Sequence, residues 1–192
     1  PSTPSNDYYF SNLINNSLNS VEILKGSQSS LYGSGAIAGT INLYPKKGEK
    51  EGHYQDGFIS EGSYGTRNIS LSFDGMNDNL DYFIGITNLS SDGISARIDD
   101  DEEDRYRNDN LVGNLGYQIN NKLRSEIYIN YTDTFLEYDS VALASTDDNS
   151  SDDQQTLFST KLIFNNGNLS NNLSYYKTYF LRETVTGYNS NS

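Results

Sequence analysis

Residues Val21–Leu43 read VEILKGSQSSLYGSGAIAGTINL. The stretch opens on an apolar run, Val21, Ile23 and Leu24, read as a buried strand. It crosses a Gly/Ser-rich segment, Ser27 to Gly39, and closes on Thr40 to Leu43. Ser29 to Tyr32 has room for one helical turn before Gly33. Thr40 to Tyr44 reads as a strand that Pro45 ends, because proline brings no N–H to a ladder. The charged segment KKGEKEG, Lys46 to Gly52, follows as a linker.

Upstream, Ser11 to Asn19 is read as a short helix through Leu13, Ile14 and Leu18, although its asparagines are poor helix formers. Downstream the pattern changes. Ile69, Leu71 and Phe73 alternate with Ser70, Ser72 and Asp74. Leu80, Tyr82, Ile84 and Ile86 repeat the alternation. So do Leu111, Leu115, Tyr117 and Ile119, then Ile127, Ile129 and Tyr131, then Phe158, Leu162 and Phe164, then Leu173, Tyr175, Tyr179 and Leu181. Period 2 sustained this long predicts antiparallel strands. Tyr54 to Glu61 is read as a further, less regular strand. The second face carries Ser70, Ser72, Asn114, Gly116, Gln118, Arg124, Glu126 and Asn130, which suits a wet interior. Short turns at Gly75 to Asn79, Asn120–Asn121 and Asn165 to Asn168 alternate with long polar loops at Ser90 to Asn110 and Asp139 to Gln155. Short turns on one side and long loops on the other match an outer-membrane barrel. A soluble β-sandwich is the competing architecture.

Composition narrows the function classes. The 192 residues carry a net charge of −13, with 16 Tyr, 8 Phe, no Cys and one His. No disulfide or thiolate site exists, and the acidic balance disfavours nucleic acid, whose phosphates want clustered Lys and Arg. No apolar run reaches the roughly 18 residues of a membrane helix, but a barrel strand needs only about 9–11 alternating residues. A chain without an initial Met or a signal peptide reads as an internal fragment. The glycines Gly33, Gly35 and Gly39 miss the dinucleotide spacing by one residue, and no P-loop Lys follows them. No nucleophile–base pair is evident, so the chain is not read as an enzyme.

The Val21–Asn42 segment resembles the C-terminal part of the plug domain of TonB-dependent outer-membrane receptors. Val21, Glu22, Gly26, Ser29, Tyr32, Gly33, Ala36, Gly39, Ile41 and Asn42 fall in register with that family's pattern. Lys25, Ser27 and Ala38 stand where the family usually has Arg, Pro and Gly. The resemblance implies a mainly β chain: residues 1–50 as the C-terminal part of an α+β plug domain, and residues 51–192 as the first strands, about seven of about twenty-two, of a transmembrane antiparallel β-barrel. It implies plug-to-barrel contacts through Glu22, Lys25, Gly26, Tyr32, Gly33, Gly39 and Asn42. It further implies import of a scarce ligand, cobalamin-like or a ferric chelate, energised by TonB through an N-terminal box upstream, at the bacterial outer membrane in contact with its lipid. A secreted or surface β-rich adhesin is the alternative.

The acids of the first long loop, Asp92, Asp99, Asp100, Asp101, Glu102 and Asp104, have two readings. A charge run of this kind is ordinarily a solvated, self-repelling loop. The layout also resembles the cobalamin-transporter branch, in which acidic loops bind calcium, a hard cation that takes several carboxylate oxygens. No cofactor is otherwise implied. The tyrosines on the apolar faces are read as an interface girdle rather than a substrate platform. His53 is read as a solvated linker residue.

Overall fold

The computed structural model describes residues 17–95, 103–139 and 148–188. Two sheets form. Strand β1 (Leu18–Lys25) pairs antiparallel with β2 (Gly39–Pro45), with the one-turn helix α1 (Ser29–Tyr32) between them. Seven further strands, β3 (Gly52–Glu61), β4 (Arg67–Met76), β5 (Leu80–Ser91), β6 (Tyr106–Asn120), β7 (Leu123–Asp139), β8 (Asp148–Asn166) and β9 (Leu169–Tyr188), pair in sequence order as one antiparallel meander. Among the described residues its edges are β3 and β9.

The helical turn at Ser29–Tyr32 and the strand ending at Pro45 form as the sequence predicts. The expected helix over Ser11 to Asn19 differs where it is described. Leu18 and Asn19 belong to β1, because pairing of Leu18 with Pro45 extends the hairpin ladder backwards. Val21 and Ile23, expected to be buried, are 52% and 63% exposed. Within the described residues the hairpin has no second layer to cover them.

The seven-stranded sheet is inside out by the standards of a water-soluble domain. Its buried side chains are chiefly polar: Asp81, Thr87, Asn108, Asn110, Asn114, Thr132, Thr134 and Asp153, with Phe83 and Val112 as the buried apolar residues of the sheet among the described residues. Its exposed positions are apolar: Leu71, Phe73, Ile84, Ile86, Leu111, Leu115, Ile127, Ile129 and Leu173. Register makes these one continuous surface. Leu71 faces Ile86, Ile86 faces Leu111, and Leu111 faces Tyr131. So large a contiguous apolar face needs a partner phase, and lipid fits it. On β6 the apolar outer row runs from Leu111 to Ile119, about 27 Å along the strand. At a tilt of about 40° that covers about 21 Å of the membrane normal, close to the roughly 25 Å band of outer-membrane barrels. Tyr117 stands toward the short-turn side of the band. Tyr131 and Tyr179 stand toward the long-loop side, joined across β8 by Thr156.

The strands run beyond this band, and the loops are shorter than expected. Residues 106–110 belong to β6 and 148–155 to β8. Backbone pairing does not require an apolar outer face, so the ladder continues where that face turns polar. Asp109 accepts from Asn88 at 2.6 Å, and Asp133 accepts from Tyr131 and Gln154 at 3.1 and 3.2 Å.

Candidate plug and wall interface

The hairpin is shaped by glycines at two decisive points. Gly33 follows α1 with φ 86°, a conformation that side chains rarely adopt, and its N–H bonds the Ser29 carbonyl. Gly39 starts β2 with φ 157°, and a Cβ there would lie 2.5 Å from the Leu24 carbonyl oxygen. Gly26 closes the other side, its N–H donating to the Ala38 carbonyl at 3.0 Å.

On one face of this frame Glu22, Tyr32 and Asn42 come together, joined by Tyr44. The Glu22 carboxylate accepts from Asn42 Nδ2 at 2.9 Å and from the Tyr44 hydroxyl at 2.9 Å. Asn42 Nδ2 also reaches the Tyr32 oxygen at 3.4 Å. Lys25 lies across the ladder from Gly39. The Asn42 bond, then the Tyr44 bond, hold the Glu22 pKa below the ordinary carboxylate value. The Glu22 bond, with its charge, raises that of Tyr44.

The sign follows. A lowered folded pKa stabilises the hairpin above the unfolded carboxylate value, about 4.3. That contribution is lost as pH falls through the lower folded value. Tyr44 acts oppositely, its contribution being complete below about 10 and lost as pH rises through its raised folded value. Hydrogen exchange in β1 and β2 of the full-length protein is therefore expected to lose protection on acidification beyond the intrinsic pH trend. Glu22→Gln should abolish that extra loss. An unchanged acid profile in the variant would remove the carboxylate from the account.

The wall contact that the described residues show is made by the linker. The Lys46 carbonyl accepts from Asn114 Nδ2 at 3.0 Å, and the Lys46 ammonium stands 5.8 Å from the centre of the Phe83 ring. Lys47 Nζ lies 2.9 Å from Glu126. Glu126 also holds Arg124 at 3.1 Å, and Arg124 reaches Asp81 at 2.6 Å. Alternation places Arg124 and Glu126 on the inner face; it carries no sign of Lys47 or Asp81 as their partners. A cavity of about 440 Å³ lies between the hairpin end (Leu18, Leu43, Tyr44) and the inner wall (Tyr128, Asn130, Tyr176).

The long-loop end is braced at its base. Asp92 N–H donates to the Tyr64 carbonyl at 2.9 Å, and the Ser91 hydroxyl donates to the same oxygen at 3.0 Å. Arg105 grips Glu137 through Nε at 2.8 Å and Nη2 at 2.7 Å, a bidentate pair. Of the candidate calcium ligands, Asp92 and Asp104 flank the loop, and Asp99, Asp100, Asp101 and Glu102 lie outside the described residues. Among the described residues no three acidic or imidazole side chains converge on one point. Asp153, within the stretch read as a long loop, lies in β8 and is paired with Arg182 of β9, which reaches it through Nε at 2.6 Å. His53, read as a solvated linker residue, is the second residue of β3, with its Nδ1 2.8 Å from the Tyr82 hydroxyl.

Comparison with known proteins agrees with this geometry. Residues 1–40 match the family described as the TonB-dependent Receptor Plug Domain. The chain is 27% identical over 123 residues to the vitamin B12 transporter BtuB of Photobacterium profundum, covering 62% of this chain and 20% of that protein. The fold is similar to the crystal structure of the siderophore receptor PiuA from Acinetobacter baumannii, with a TM-score of 0.66 and 15% identity. That match covers 85% of this chain and 26% of the receptor; at such identity it speaks to fold alone. An inside-out antiparallel sheet preceded by a segment that matches the plug family is the architecture of the TonB-dependent receptors, the class that this chain resembles. Within that class its sequence is BtuB-like. It spans about a fifth of the length of that transporter and about a quarter of that of the siderophore receptor.

Proposed function

We propose that the receptor to which this chain belongs imports a scarce nutrient across the bacterial outer membrane, with a cobalamin as its ligand and a ferric chelate as the next candidate. The observation that carries this reading is the pairing of a plug-family segment with a lipid-facing sheet whose inner face is polar. The similarity to a vitamin B12 transporter supports the choice of ligand.

In this reading residues 1–50 end the plug and residues 51–192 begin the barrel. Ligand binds the long-loop side, where Tyr64, Arg105 and Glu137 brace the loop bases. TonB, engaging a box upstream, then rearranges the plug within the polar lumen. Binding and conformational change do the work; no bond is broken. Calcium is a separable element. Asp92 and Asp104, with the acids between them, offer the oxygen donors that a hard cation takes.

Equilibrium binding of cyanocobalamin to the purified full-length receptor in detergent tests the ligand. Saturable binding that an unrelated barrel lacks is expected. Binding of a ferric siderophore with none of cyanocobalamin would overturn the choice of ligand. Calorimetry with calcium chloride on the same protein is expected to show binding heat, and no heat would remove the calcium element.

A further inference from the structure

We propose that Lys46–Gly48 is a fixed anchor, holding the downstream end of the plug to the wall while the rest of the plug rearranges. The anchor is built from side chains far apart in sequence. Lys47 meets Glu126 on β7 at 2.9 Å, Glu126 holds Arg124 at 3.1 Å, and Arg124 reaches over β6 to Asp81 on β5 at 2.6 Å. Charges alternate along this chain and balance, two positive against two negative, so no like charges need share the site. Arg124 and Glu126 are mostly withdrawn from solvent, at 24% and 19% exposure, so their attraction is less screened than that of a surface pair.

The barrel strands are shaped to let the bridge form. Gly116 of β6 lies in register between Asp81 and Glu126. A Cβ there would overlap Arg124 Nη2 and sit 2.6 Å from Asp81 Oδ2, so glycine leaves the gap through which the guanidinium passes and a larger residue would push these side-chain ends aside. The linker backbone is held as well. Asn114 of β6 donates to the Lys46 carbonyl, whereas the Lys46 N–H, donating to the Ser17 carbonyl at 2.8 Å, is the linker's last bond to the hairpin side. Gly48 presses so close to the wall that a Cβ on it would overlap the Gly75 carbonyl oxygen. Glu51 then bridges to Met76 as the chain enters β3.

Upstream the balance differs. The polar side chains of the hairpin, Glu22, Tyr32, Asn42 and Tyr44, bond one another. Pro45, with no N–H, ends strand β2 directly before the anchor, and a single backbone bond, Lys46 N–H to the Ser17 carbonyl, lies beyond it. A plug under load therefore yields on the hairpin side of Pro45, and its downstream end stays attached to β5, β6 and β7.

Hydrogen exchange on the full-length receptor in detergent, at rising urea concentration, tests this. Peptides covering 46–52 are expected to stay protected with β5–β7 where those covering 18–45 have opened. Lys47→Met and Glu126→Gln should each lower the protection of 46–52 about two- to fivefold, the value of a partly exposed ion pair, with β5–β7 still protected as the control on folding. Lys47 lies in the linker, so its variant leaves the barrel strands intact. If 46–52 opens in step with 18–45 in the unmodified receptor, or if neither variant alters it, the anchor is wrong. Its meaning for import rests on the function proposed above. The exchange readout needs neither ligand nor TonB, so failure of the anchor and failure of the import reading are told apart.

Discussion

Leu115→Arg is expected to lower the stability of the folded receptor by about 2–4 kcal/mol, the cost of a guanidinium at the midplane of a lipid-facing barrel strand. Leu115 stands at the centre of the outer row of β6, between Leu111 and Ile119, and faces Tyr82 and Ile127 across the ladder. Its side chain is 42% exposed here, a position where arginine in a water-soluble protein would cost almost nothing. The two settings thus predict opposite outcomes for one substitution. Thr178→Arg, on the inner face of β9 opposite Leu157, is the contrast and should cost well under half as much. Urea unfolding of both variants in lipid vesicles measures the difference. Equal, small effects would mean that the apolar face does not meet lipid.

Gly48→Ala is expected to cost about 1–3 kcal/mol of local stability, as overpacking does. The added Cβ would overlap the Gly75 carbonyl oxygen and lie 2.8 Å from that of Tyr82. Both atoms belong to the backbone of paired strands, so neither can swing aside as a side-chain tip would. The linker must lift instead, and Lys47 then loses its reach to Glu126. The variant should show faster exchange across 46–52 with β4 and β5 unchanged. Gly35→Ala, where a Cβ meets nothing within 4 Å, should leave the same peptides unaffected. A Gly48→Ala receptor with unaltered linker protection would contradict the close passage.

The strands are legible in the sequence because a barrel writes its two solvents into alternate residues. Leu80, Tyr82, Ile84 and Ile86 face lipid while Asp81, Phe83, Gly85 and Thr87 face inward, and that period is visible without coordinates. The strand ends are not legible. Asp109 and Asp152 read as loop residues, yet they extend the ladder above the apolar band, where pairing continues with polar side chains on both faces. The motif glycines mark the hairpin, and Glu22, Tyr32 and Asn42 do meet there, with Tyr44 as an added partner. The Lys47 to Asp81 network lies beyond reach for a different reason. Its members come from the linker, β5 and β7, and only register brings them across Gly116. Nothing local distinguishes Lys47 from its neighbours in a charged linker.

Import in the proposed function is driven by TonB. The most direct measurement is accumulation of radiolabelled cyanocobalamin by cells that lack their own cobalamin receptor and express the full-length protein, with tonB intact or deleted. Accumulation well above the empty-vector control is expected with tonB intact, and a fall to that control without it, surface binding being retained in both. Accumulation that is the same in the two strains, with the receptor present in the outer membrane, would contradict it.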